Sequence, residues 1–147
     1  LTTLEEKSLG CIHKGGHHPV EEVYDYAKQM EYGKGLVIMD TPGNDPSSVA
    51  GMAAGGCQLV LFSTGRGTPT GNPIAPVIKL TANPITYGKM KDNIDVDGSI
   101  LLEHPEKMGE VADALVAEII DFANGKATKS ESLGFYELAI ARVCNYV

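Results

Sequence analysis

Short unbroken apolar runs alternate with stretches in which apolar residues recur every three to four positions, as in a chain that mixes strands with helices. Leu36-Val37-Ile38-Met39 and Gln58-Leu59-Val60-Leu61-Phe62 are bounded by turn residues and read as buried strands, and Val77-Ile78-Lys79-Leu80-Thr81 reads as a third. Thr3-x-x-Glu6 is a capping box that opens a helix from Leu4 to about His13, stopped at Gly15-Gly16. Pro19 then sits at a first helical position, with Glu21 and Glu22 in the first turn and Val20, Val23, Tyr24 and Ala27 on one face. That pattern predicts a second helix ending near Met30, before Tyr32-Gly33-Lys34-Gly35. Between the first two strands Asp45 is the expected cap of a helix, with Pro46 at its first position. Val49, Met52 and Ala53 face inward, and Gly55-Gly56 is the stop. Strand, helix and strand predict a βαβ unit with parallel pairing and a right-handed crossover.

Beyond the third strand, Asn83 caps a short helix from Pro84 to about Lys91, and a polar turn from Asp92 to Ser99 leads to Ile100-Leu101-Leu102. Pro105 opens the longest helix, with Met108, Val111, Ala112, Leu115, Ile119 and Phe122 on one stripe and Asn124-Gly125 at its end. Ala127 to Glu131 is polar. Leu133 to Val143 is apolar, an edge strand or a piece that docks elsewhere. No internal repeat or low-complexity tract is visible. The expected fold class is α/β: a Rossmann-like layered domain with a mostly parallel sheet and flanking helices, one domain over residues 1–147.

Composition narrows the partners. A net charge of −7 argues against nucleic acid and anionic membranes, which require a basic face. No apolar run approaches the roughly 18 residues of a membrane span, because Asp113, Glu118 and Asp121 interrupt the best candidate. There is no secretory leader pattern. Cys11, Cys57 and Cys144 are too widely spaced for a zinc knuckle and read as reduced thiols of a cytosolic protein. The chain starts at Leu1-Thr2-Thr3 without an initiator Met and stops straight after an apolar segment, so it reads as a piece of something longer.

Candidate chemistry concentrates after the first two strands, where open parallel sheets bind ligands. The first strand runs into Asp40-Thr41-Pro42-Gly43 and the second into Ser63-Thr64-Gly65-Arg66-Gly67-Thr68-Pro69-Thr70-Gly71. Glycine-permitted turns expose backbone N–H groups, and a guanidinium holds a carboxylate or phosphate at two points. An anion site on a shared rim is therefore expected, built from Arg66, Thr64, Gly65, Gly67, Thr68 and Thr70 with Asp40 and Thr41. The loop lacks both the Gly-Lys-Ser/Thr ending of a phosphate-binding loop and a GxGxxG pattern, so nucleotide binding is weakly supported. Asn93-x-Asp95-x-Asp97-Gly98 half-matches a calcium loop but places His104 where a bidentate Glu is needed, and reads as a polar turn. His13, His17 and His18 are split by Gly15-Gly16 and read as incidental; Glu5, Glu6, Glu21 and Glu22 read as solvated helix-start charges. No Ser/His/Asp or Cys/His arrangement can be argued.

The stretch MDTPGNDPSSVAGMAAGGCQLVLFSTGRGTPTGNPIAPVIKLTANPITYGKMKDNIDVDGS resembles the carboxyl-terminal part of the altronate dehydratase and galactarate dehydratase family, which includes sulfolactate sulfo-lyases. The likeness extends through LTTLEEKSLGCIHKGG and LGFYELAIARV, nearly the whole chain. It implies loss of water from C2–C3 of an aldonate or aldarate to give a 2-keto-3-deoxy acid, with a divalent metal, Fe2+, bound by residues that can lie outside this piece. It also implies a large preceding region, a homo-oligomer, and little or no activity in the piece alone. In that chemistry Arg66 is the expected clamp on a substrate carboxylate, and Thr64, Thr68 and Thr70 suit its hydroxyls. Asp40 could orient Arg66, bind a metal or cap a turn. A non-catalytic anion-binding or assembly domain and a nucleotide-binding module remain the other classes.

Overall fold

The structure, a computed structural model, describes residues 3–31 and 35–141. In chain order its elements are α1 (Leu4–Lys14), β1 (Val20–Tyr24), β2 (Leu36–Met39), α2 (Asp45–Ala54), β3 (Val60–Ser63), β4 (Val77–Thr81), α3 (Pro84–Lys89), β5 (Val96–Asp97), α4 (Met108–Ala123) and α5 (Lys129–Leu133). The chain is an α/β domain with parallel sheets. β1 pairs with β2 in one sheet, and β3-β4-β5 form another with β4 in the centre. Among the described residues no helix is long and apolar enough to cross a membrane.

Local chemistry sets several boundaries. Thr3 accepts from the Glu6 N–H while the Glu6 carboxylate accepts from the Thr3 N–H, which closes the box that starts α1. Asn83 accepts from the N–H groups of Ile85 and Thr86 and, with Pro84, starts α3. In α2 the cap is Asn44 rather than Asp45, and its side chain accepts from the Ser47 N–H. The core between α2 and the larger sheet joins Val49, Val60, Ala75 and Val77, with Met52, Ala53 and Phe62 against it.

Two further expectations are corrected. The segment from Val20 is strand β1, not a helix. Val20 and Val23 are β-branched, only Tyr24 of the strand is buried, and Ala27 has φ 59°, which a right-handed helix cannot accommodate. The expected βαβ pairing also fails: β2 and β3 belong to different sheets, and β2 is only partly buried. The partner of β2 is β1, and the Asp40 N–H continues that ladder to the Tyr24 carbonyl at 2.8 Å. The polar turn contains the short strand β5, and α5 occupies the start of the final segment. Tyr32, Gly33 and Lys34, Cys144, and the end of the segment from Leu133 to Val143 lie outside the described residues.

Residues 64–76 connect β3 to β4. Parallel strands need a crossover of a dozen or so residues, normally a helix. Here irregular backbone makes the return, so its N–H and C=O groups need partners from elsewhere.

Candidate functional site

Those partners come from all around the connection. The Lys79 side chain rises from the centre of β4, is fully buried, and donates from Nζ to the carbonyls of Pro69 and Thr70 at 3.2 Å each. Burial pushes its pKa below the ordinary lysine value, while the carboxylates of Asp95 and Glu137 oppose that shift. The Gly71 N–H donates to Glu137 Oε2 at 2.9 Å, and Asn72 Oδ1 accepts from the N–H groups of Ile74 and Ala75. Thr64 Oγ1 accepts from the Gly67 N–H at 2.9 Å. The Gly65 carbonyl accepts from Thr86 Oγ1 at 2.7 Å and Asn83 Nδ2 at 3.2 Å. At Gly67 φ is 86°, in the left-handed region that favours glycine, and a Cβ there would also displace the Met90 side chain.

This network divides the glycine-rich motif into two parts. Thr68 and Thr70 are buried with their hydroxyls 2.8 Å apart, so they face the interior of the connection. Thr64 and Gly65 stay at the carboxyl end of β3 and line a cleft of about 690 Å³ with Ser63, Thr81, Asn83 and Lys14. Its walls are mostly apolar, with Leu80, Pro84, Ile85 and Leu102 among them. Arg66 follows directly, exposed, with no hydrogen bond or ion pair to any described residue. Asp40 is exposed beyond β2 in the other sheet, and Thr41 is tied to α2 by a 2.8 Å contact between its Oγ1 and Ser48 Oγ. The two loops therefore leave strands of separate sheets, and no hydrogen bond or ion pair joins Asp40 to Arg66 among the described residues.

Sequence reasoning gave no role at the cleft or the connection to Lys79, Thr81, Asn83 and Lys14. A single lysine inside an apolar strand was the available signal for Lys79, because an ammonium there requires buried acceptors. The acidic turn is spent on internal bonds. Asp95 accepts from the N–H groups of Lys79 and Lys129 at 2.8 Å each, and Asp97 accepts from the Ser99 N–H. Among the described residues no three His, Cys, Asp or Glu side chains converge on a possible metal position. These residues therefore do not fit the iron that the resemblance implies.

Asn83 links cleft and fold, since it caps α3 and holds Gly65. Asn83→Ala is expected to destabilise the domain by about 1–2 kcal/mol, with Asn83→Asp recovering the cap but not the Gly65 bond. Urea unfolding of both variants checks this; an Ala variant as stable as the parent would remove Asn83 as an anchor.

The D-galactarate/Altronate dehydratase, C-terminal family is matched over residues 1–145. The chain is 41% identical over 140 residues to altronate dehydratase of Escherichia coli, covering 95% of this chain and 28% of that protein. It is 42% identical over 144 residues to (2R)-sulfolactate sulfo-lyase subunit beta of Chromohalobacter salexigens, covering 97% and 37%. Galactarate dehydratase (L-threo-forming) of Escherichia coli is 32% identical over 142 residues, covering 95% and 27%. The chain thus spans well under half the length of these relatives.

Proposed function

We propose a function from one premise: the chain belongs to the D-galactarate/altronate dehydratase carboxyl-terminal family. In this reading it is the carboxyl-terminal domain of a longer cytoplasmic sugar-acid dehydratase, which removes water from an aldonate or aldarate such as altronate or galactarate. The C2 proton leaves to a base, the C3 hydroxyl departs with a proton as water, and the resulting enol tautomerises to a 2-keto-3-deoxy acid. Loss of the C2 proton builds negative charge on the adjoining carboxylate, so a fixed cation there lowers the barrier. A divalent metal, Fe2+, belongs to this reading only as a ligand of the rest of the enzyme. The β3–β4–β5 layer is its Rossmann-like part.

The observation that carries the reading is the placement of Arg66, exposed and unpaired among the described residues, one residue beyond a cleft at the tips of β3 and β4. Its guanidinium is free to take a carboxylate at two points, and the Thr64 and Ser63 hydroxyls at the cleft suit sugar hydroxyls. A second reading is supported by the 42% identity to a sulfolactate sulfo-lyase subunit, as high as that to altronate dehydratase. Sulfolactate is also a 2-hydroxy carboxylate, and the same arginine would serve it.

In the full-length enzyme, Arg66→Ala is expected to lower kcat/KM by roughly ten- to a hundred-fold, since hydrogen bonds to charged groups contribute about 1.5–3 kcal/mol. Stability should change by less than about 0.5 kcal/mol, because the side chain is exposed and unpaired. Assays of 2-keto-3-deoxy acid formation from altronate and galactarate, beside sulfite release from sulfolactate, choose between the readings. Unaltered kinetics in the variant would take Arg66 out of the site.

A further inference from the structure

Helix α4 shows where covering is missing. Its apolar arc spans two adjoining stripes, about half the circumference at 3.6 residues per turn. The body covers only one of them: Phe122 is buried, and Val111, Leu115 and Ile119 are half-buried. The other stripe, Met108, Ala112, Val116 and Ile120, lies four residues apart at each step and is exposed throughout. Met108, Val116 and Ile120 retain 57%, 55% and 54% of their accessible surface, where a surface helix would place polar residues. The β1–β2 pair has the same character. Parallel sheets are normally covered on both faces and two strands alone are marginal, yet Val20, Val23 and Ile38 are exposed.

We propose that the Met108–Ala112–Val116–Ile120 stripe of α4 is the seat of the region that precedes this domain in the full-length polypeptide. The inference rests on the reading of the chain as a carboxyl-terminal domain, not on the substrate. This chain covers 28% of altronate dehydratase and 37% of the sulfo-lyase subunit, so most of such a polypeptide is available as the occupant.

The test uses the full-length protein and requires no turnover, so it stands apart from the functional reading. A benzophenone amino acid is placed at position 116 or 120, with the exposed position 114 on the opposite side of α4 as control. After illumination and proteolysis, positions 116 and 120 should cross-link to peptides preceding Leu1 several-fold more than position 114 does. Cross-links joining residues 1–147 of two copies would assign the stripe to self-association and overturn the proposal, as would yields equal to the control. Radical footprinting of the unsubstituted protein covers the case of a probe that disturbs folding. Met108 should oxidise several-fold more slowly than its 57% exposure in this domain alone would give, and oxidation at the rate of a methionine of that exposure would likewise overturn it.

Discussion

Gly71→Ala is expected to destabilise the domain by about 3 kcal/mol or more and to lower its melting temperature by about 10 °C. The added Cβ would lie 1.9 Å from the Phe135 carbonyl oxygen and 3.0 Å from Ser130 Cβ. Overpacking against a side chain can be relieved by a rotamer change, but here the obstacle is backbone. It is fixed backbone too: α5 ends with Gly134 at φ 74°, the Phe135 N–H donates to the Ser130 carbonyl at 2.9 Å, and the Gly134 N–H donates to Glu131. The Gly71 N–H is itself bonded to Glu137, so backing away from Phe135 breaks a second anchor. Gly88 in α3 is the matched control, because nothing lies within 4 Å of a Cβ built there and alanine is the better helix former. The same one-carbon change should be neutral or stabilising at Gly88. Calorimetry on both variants decides the matter; a Gly71→Ala protein melting with its parent would show that the tail does not clamp the crossover.

Gly71 also marks the limit of what could be read from the chain. Helix starts governed by neighbouring residues were legible: the Thr3/Glu6 box, Asn83 before Pro84, and the bounds of β4 all follow from chemistry within a few positions. Elements settled by distant partners were not. Val20 to Tyr24 fits either period over so short a run, and pairing with β2 decides for strand. The glycine-rich motif was visible as special backbone, yet its division into an exposed tip at Gly65-Arg66 and a return buried at Thr68, Thr70, Gly71 and Asn72 was not. That division depends on Lys79, ten residues beyond Pro69, and on Glu137, 66 residues beyond Gly71. A threonine hydroxyl suited to a sugar and one suited to a buried backbone turn look alike in sequence.

Lys79→Met should cost about 2–4 kcal/mol at neutral pH, because methionine keeps much of the stem's volume but supplies no donor. Two effects oppose each other. Removing the ammonium abolishes its own burial penalty, which favours the variant. Against that, the carbonyls of Pro69 and Thr70 lose Nζ, the second of them in a buried setting, and Asp95 and Glu137 lose the cation that faces them. The second effect is larger, since one substitution strips a buried acceptor at Thr70 and a part-buried one at Pro69 and leaves the carboxylates uncompensated. The pH dependence separates this account from simple loss of packing. Burial holds the folded pKa of Lys79 below the usual 10.5, so between the depressed value and 10.5 the unfolded chain binds more protons than the folded one. Stability from this group therefore rises with pH across that window and is level on either side. Within the window the neutral amine still donates to both carbonyls, and the cost of a buried charge has gone. The stability difference between parent and Lys79→Met, taken from urea unfolding, should thus widen as pH rises toward 10.5, while titrations common to both proteins cancel. A difference that stays constant over this range would mean that the lysine stem, and not its ammonium, supports the crossover.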